Sequence, residues 1–133
     1  MIYLDHAATS PLRAEARAAM AEFEDKGIFA NPSSGHSMGR EADAVLEESR
    51  RTLAGLLQAD PVEMYFTSGG TESDNWAILG TAAAFPEKRH IISTSIEHHA
   101  VLHTLDFLKQ LGYTVDLIDP DPDGLVSAAA VLK

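Results

Sequence analysis

The sequence predicts an α/β fold in which a largely parallel sheet is flanked by helices. Three observations predict it. Short apolar runs at residues 62–67, 89–95 and 113–118 are rich in β-branched and aromatic residues. Longer stretches with apolar residues three and four apart separate them, and that alternation is the pattern of strands joined by helical crossovers. A glycine-containing turn, Ser68-Gly69-Gly70-Thr71, joins the first run to the helical stretch after it.

Taken in order, residues 2–9 are extended in character, and Ser10-Pro11 opens a helical pattern. Pro11 suits the first helical position, where its missing N–H has no partner to lose. Ala14, Ala18, Ala19 and Phe23 fall on one stripe, and Gly27 ends it. Asn31-Pro32-Ser33-Ser34-Gly35 is a run of turn formers and reads as a loop. A second helix is expected from Ser37 to Gln58, with Ala42, Val45, Leu46, Leu53 and Leu57 at helical spacing. After Asp60-Pro61 the period changes to a strand over 62–67, then the glycine turn and a helix over 72–84. A strand over 89–95 follows, then a helix over 99–111 stopped by Gly112, and a third strand over 113–118. Thr67 and Thr94 should end their strands on one side of the sheet, which would bring Thr71 and His98 to one cavity mouth. Beyond the turn-rich residues 119–124, Ser127 can cap a helix starting at Ala128. The chain stops at Lys133, little more than a turn later, so it reads as an incomplete piece of a longer chain.

Composition narrows the function classes. The 133 residues carry a net charge of −10, from 10 Lys+Arg against 20 Asp+Glu, which leaves no basic stripe for nucleic acid. At 45% apolar and 23% charged residues the balance is globular rather than disordered. No apolar run approaches the ~18 residues of a membrane span. Cysteine is absent, so neither a disulfide nor a thiol nucleophile lies within the chain. The N-terminus has no signal-peptide pattern, and a cytoplasmic, soluble protein is expected.

The chemistry-bearing segments are few. In Tyr65-Phe66-Thr67-Ser68-Gly69-Gly70-Thr71-Glu72, a turn feeds the N-terminus of a helix, where backbone N–H groups and the helix dipole favour an anion. The same residues fit a plain turn with Thr71 as N-cap and Asp74 three residues on, and the pattern alone does not choose between the two. His98, at the carboxyl end of a predicted strand, lies where open α/β sheets bind ligands. His99 and His103 have the spacing of a metal-binding pair, but with no third ligand beside them a solvated helix face is the better reading, and no metal is expected. By residue type alone, Asp5-His6-Ala7-Ala8-Thr9 and Asn31-Pro32-Ser33-Ser34-Gly35-His36 read as polar loops with structural roles. Lys26, Lys88, Lys109 and Lys133 read as solvated charges.

Together, four stretches resemble the N-terminal portion of the cysteine desulfurases of the NifS/IscS type, within the class V aminotransferase family of pyridoxal-phosphate enzymes. They are Tyr3-Leu4-Asp5-His6-Ala7-Ala8-Thr9, residues 31–36, residues 66–75, and Glu97-His98-His99-Ala100-Val101-Leu102. The resemblance covers essentially the whole chain, in the family's order. It implies the N-terminal part of the large domain of pyridoxal-phosphate fold type I. Residues 1–15 would form an extended segment and the start of the first helix, and residues 16–133 the truncated large domain. Gly70 and Thr71 match the positions that hold the phosphate of pyridoxal 5′-phosphate. His98 matches the histidine that stacks on the pyridine ring and moves protons, a role that suits an imidazole. His99 is not carried over.

The family's cofactor-bonding lysine, pyridine-pairing aspartate, carboxylate-binding arginine and catalytic cysteine lie beyond the matched region, so this chain is not expected to turn over alone. The complete protein is expected to convert L-cysteine to L-alanine as a homodimer. It would pass sulfur to an acceptor or scaffold protein for iron–sulfur clusters or tRNA thiolation, with neither nucleic acid nor membrane as partner. The alternatives are another class V enzyme, such as a selenocysteine lyase, or a non-catalytic truncated paralogue acting as an interaction module.

Overall fold

The structure, a computed structural model, describes residues 2–132. Its contacts group into two compact units, residues 1–65 and 66–133.

In the first unit, α1 spans Ala14–Asp25 and α2 spans Ser37–Leu57. The helix expected from Pro11 begins three residues later. Arg13 keeps a polyproline-like backbone with no side-chain cap, and the helix starts where the alanine- and glutamate-rich run begins. Gly27 ends it as expected: at φ 68° it lets Gly27 N–H reach the Glu24 carbonyl at 3.0 Å and Ile28 N–H reach that of Phe23 at 3.2 Å. At the start of α2 the His36 ring accepts the Gly39 N–H at 3.1 Å. The loop before it is tied by Asn31, whose side chain accepts Ser33 N–H at 2.9 Å and whose carbonyl accepts Ser34 N–H at 3.0 Å.

Gly39 is buried against this loop. A Cβ there would lie 2.9 Å from the Asn31 carbonyl oxygen and closer still to that of Ser34. Both obstacles are backbone, so they cannot swing aside. Gly39→Ala is therefore expected to destabilise this unit by about 1–3 kcal/mol. Denaturant unfolding of the full-length protein checks it, and an unchanged midpoint contradicts it.

The strand expected over 62–67 is not formed. Pro61–Glu63 is instead a single 3₁₀ turn, closed by a capping box in which Asp60 accepts Val62 N–H at 3.0 Å and Glu63 accepts Asp60 N–H at 2.9 Å. Residues 64–67 are not in a strand. β-Branched and aromatic composition makes a strand only when a neighbouring strand pairs with it, and the one sheet among the described residues joins two other segments.

The second unit holds α3 (Gly70–Ala84), β1 (His90–Thr94), α4 (His99–Gln110), β2 (Thr114–Ile118) and the short α5 (Ala128–Val131), capped by Ser127 as expected. The two strands pair in parallel, His90 opposite Thr114 and Thr94 opposite Ile118, with α4 as the crossover. Gly112, at φ 86°, stops α4 by the same device as Gly27. Ala100, Thr104, Leu105 and Leu108 form the buried stripe of α4, which packs on α3 and β2.

Candidate functional site

Thr71, the last residue of the glycine turn, and His98 line one concavity of the second unit. α3 contributes Thr71, Asn75 and Leu79, α4 contributes Ala100, Thr104 and Phe107, and His98, His99 and His103 complete the lining. The cavity is about 440 Å³, within the roughly 300–1,000 Å³ typical of small-ligand clefts. Thr67 ends no strand, so the expectation that two strand ends would bring Thr71 and His98 together fails in its route. The N-termini of α3 and α4 carry the two residues to the shared cavity instead.

Thr71 is not the N-cap of α3. That position is Gly69, and Thr71 is the second helical residue, leaving its hydroxyl unspent on capping. The first intrahelical bond runs from Ser73 N–H to the Gly69 carbonyl at 3.1 Å. The N–H groups of Gly70, Thr71 and Glu72 precede it and are the ones an anion can use. The backbone of Gly69 is extended, a conformation open to any residue, so the absent side chain does not relieve strain. A Cβ added at Gly69 or Gly70 would meet nothing within 4 Å. What the two glycines leave is open access to those N–H groups, which fits a phosphate.

Glu72 does not compete for that space. Its carboxylate turns back to accept Ser68 N–H at 2.6 Å and the Ser68 hydroxyl at 2.7 Å. The backbone bond first, then the hydroxyl, hold its pKa below the usual 4.5, against a smaller opposing desolvation. A carboxyl depressed in the fold stabilises it fully above its unfolded pKa, and the contribution fades as pH falls through the folded value. The Ser68 amide resonance should therefore titrate with a midpoint below 4.5. A midpoint at or above that value, read by NMR, would contradict the bond.

His98 caps α4: its Nδ1 accepts the Ala100 N–H at 3.1 Å. That bond requires a lone pair on Nδ1, so the neutral ring carries its proton on Nε2. His99 and His103 stack, with centroids 5.4 Å apart and planes at 23°. Among the described residues no group of three or more His, Cys, Asp or Glu is arranged to hold a metal ion. Lys26 pairs with Glu22 at 2.5 Å, Lys109 pairs with Asp106 at 3.0 Å, and Lys88 lies 4.7 Å from the Phe85 ring centroid; Lys133 lies outside the described residues.

Sequence reasoning gave no role to Asn75 or Thr104. The Thr104 hydroxyl lies 2.6 Å from Asn75 Oδ1 and 2.8 Å from the Ala100 carbonyl, and Asn75 Nδ2 donates to the Thr71 carbonyl at 2.8 Å. The available signal was a threonine within the apolar stripe of α4 and an asparagine one turn beyond Thr71.

The family model described as aminotransferase class-V matches residues 2–133. The chain belongs to the class V aminotransferase family. Within it, the cysteine desulfurase IscS of Dictyoglomus turgidum (strain DSM 6724 / Z-1310) is 48% identical over 126 residues, covering 94% of this chain and 32% of that protein. Among solved structures, a NifS-like protein superposes with a TM-score of 0.85 at 37% identity, over 93% of this chain and 34% of that one. SspA in complex with cysteine gives a TM-score of 0.82 at 38% identity, over 94% and 36%. This class V aminotransferase chain thus spans about a third of the length of the curated relatives it matches. Among the described residues, no helix is long and apolar enough to cross a membrane.

Proposed function

We propose that this chain is the N-terminal part of the large domain of a pyridoxal-phosphate-dependent cysteine desulfurase. The observation that carries the reading is the single cavity lined by both Thr71 and His98, beside an open glycine turn. The cysteine desulfurase relatives, and SspA solved with cysteine, support the choice of substrate.

In this reading Gly70 and Thr71 hold the cofactor phosphate, through the first N–H groups of α3 and the Thr71 hydroxyl. His98 lies against the cofactor ring. With Nδ1 engaged by Ala100, the neutral ring presents Nε2–H, and it gives that proton up only as Nδ1 takes one and releases the Ala100 N–H. Pyridoxal 5′-phosphate, when bound, supplies the electron sink for the bonds broken at the amino acid. The complete protein is a cytoplasmic homodimer that converts L-cysteine to L-alanine and passes the sulfur to an acceptor or scaffold protein. The lysine that bonds the cofactor and the sulfur-accepting cysteine come from the remainder of the polypeptide.

The test is made on the complete polypeptide with pyridoxal phosphate and L-cysteine. L-Alanine and reducible sulfane sulfur should form in equal amounts, while the 133-residue chain alone stays colourless with added cofactor. Preference for L-selenocysteine would reassign the substrate, and failure of the complete protein to bind the cofactor would end the proposal.

A further inference from the structure

Thr104 is the one buried polar side chain among the described residues, 4% exposed in an otherwise apolar stripe. Its hydroxyl has one proton to give, and Asn75 has one carbonyl oxygen and two N–H groups. The surroundings fix how these are used. Asn75 Nδ2 faces two carbonyls, Thr71 at 2.8 Å and Ala100 at 3.5 Å, so Oδ1 must be the atom directed at Thr104, 2.6 Å away. Turning the amide over would set Oδ1 against both carbonyls. With the hydroxyl's one proton given to Oδ1, the Ala100 carbonyl accepts from Asn75 Nδ2 at 3.5 Å and is only approached by the hydroxyl. The Thr71 carbonyl is held by Asn75, Asn75 by the Thr104 hydroxyl, and that hydroxyl lies 2.8 Å from the Ala100 carbonyl. The N–H of Ala100 in turn holds the His98 ring.

The geometry points to Asn75 and Thr104 as positioning residues that set the spacing between Thr71 and His98. The inference rests on the reading of these two as cofactor-contacting residues. Neither Asn75 nor Thr104 is asked to do chemistry. Asn75 sits one turn beyond Thr71 on α3, and Thr104 one turn beyond Ala100 on α4, so their bond ties the second turns of the two helices together at the level of the cavity. Apolar packing of α3 on α4 allows small sliding, whereas a short, half-buried hydrogen bond between Thr104 and Asn75 restrains it. A phosphate held at one helix end and a ring faced from the other need that distance held.

The experiment uses the complete polypeptide and reads equilibrium affinity for pyridoxal 5′-phosphate, the visible circular dichroism of the bound cofactor and the melting temperature. Thr104→Val keeps the shape, removes the hydroxyl and leaves the half-buried Asn75 Oδ1 without its Thr104 donor. It should weaken cofactor affinity about five- to fifty-fold and alter the dichroic band. Thr104→Ser restores the hydroxyl and should return affinity to within about two-fold of the parent. If the valine variant yields no folded protein, Thr104→Ser against Thr104→Ala isolates the hydroxyl, since both lack the methyl group. A lower melting temperature with unchanged affinity and dichroism assigns the bond to folding alone and overturns the positioning role. So does equal affinity with and without the hydroxyl while Thr71→Ala still weakens binding, and in that case the site reading survives. Full affinity in Thr71→Ala as well removes the reading and the inference together.

Discussion

His98→Ala in the complete protein is expected to lower turnover by about 10²–10⁴-fold, with a much smaller loss of cofactor affinity. The size follows from removing the group that gives a proton at Nε2, while the phosphate contacts at the start of α3 stay in place. The alanine variant alone would not isolate that effect, because His98 also caps α4 through Nδ1. Losing the cap costs ~1 kcal/mol. His98→Asn separates the two roles: asparagine is among the best N-caps but has no imidazole. Both variants should lose turnover alike, and only the alanine variant should also lose thermal stability. An asparagine variant turning over within about ten-fold of the parent, below the range for a lost proton-transfer group, would remove His98 from the chemistry.

Thr71→Ala should weaken pyridoxal phosphate binding about ten- to hundred-fold, the loss of one hydrogen bond to a charged group. The melt of the cofactor-free protein should barely move. Were Thr71 the N-cap, alanine would cost ~1 kcal/mol of stability. As the second residue of α3 behind Gly69, it sits where alanine is the better helix former. Titration of the cofactor-free protein, paired with thermal melts, separates the two readings, and Thr71→Ser should keep near-parental affinity. A large loss of stability with unchanged affinity would return Thr71 to a capping role.

Much of this was legible from local pattern, because the interactions that decide it are local. α2 and α4 follow from three- and four-residue spacing of apolar side chains. Gly27 and Gly112 stop helices because the bonds they close reach only three to five residues back. β1 and β2 read as strands, and the helical stretch between them required a parallel pairing.

What the tertiary structure alone decided depends on partners distant in sequence. Residues 64–67 have the composition of a strand, yet composition cannot supply the neighbour that a ladder needs. Thr71 lies within α3 because Gly69 takes the capping position, a choice among adjacent turn residues that no periodicity records. The pairing of Thr104 with Asn75 joins residues 29 apart and exists only once α3 packs on α4. A buried hydroxyl must find its acceptor wherever the fold places one, and the chain on either side of it carries no mark of that acceptor's identity.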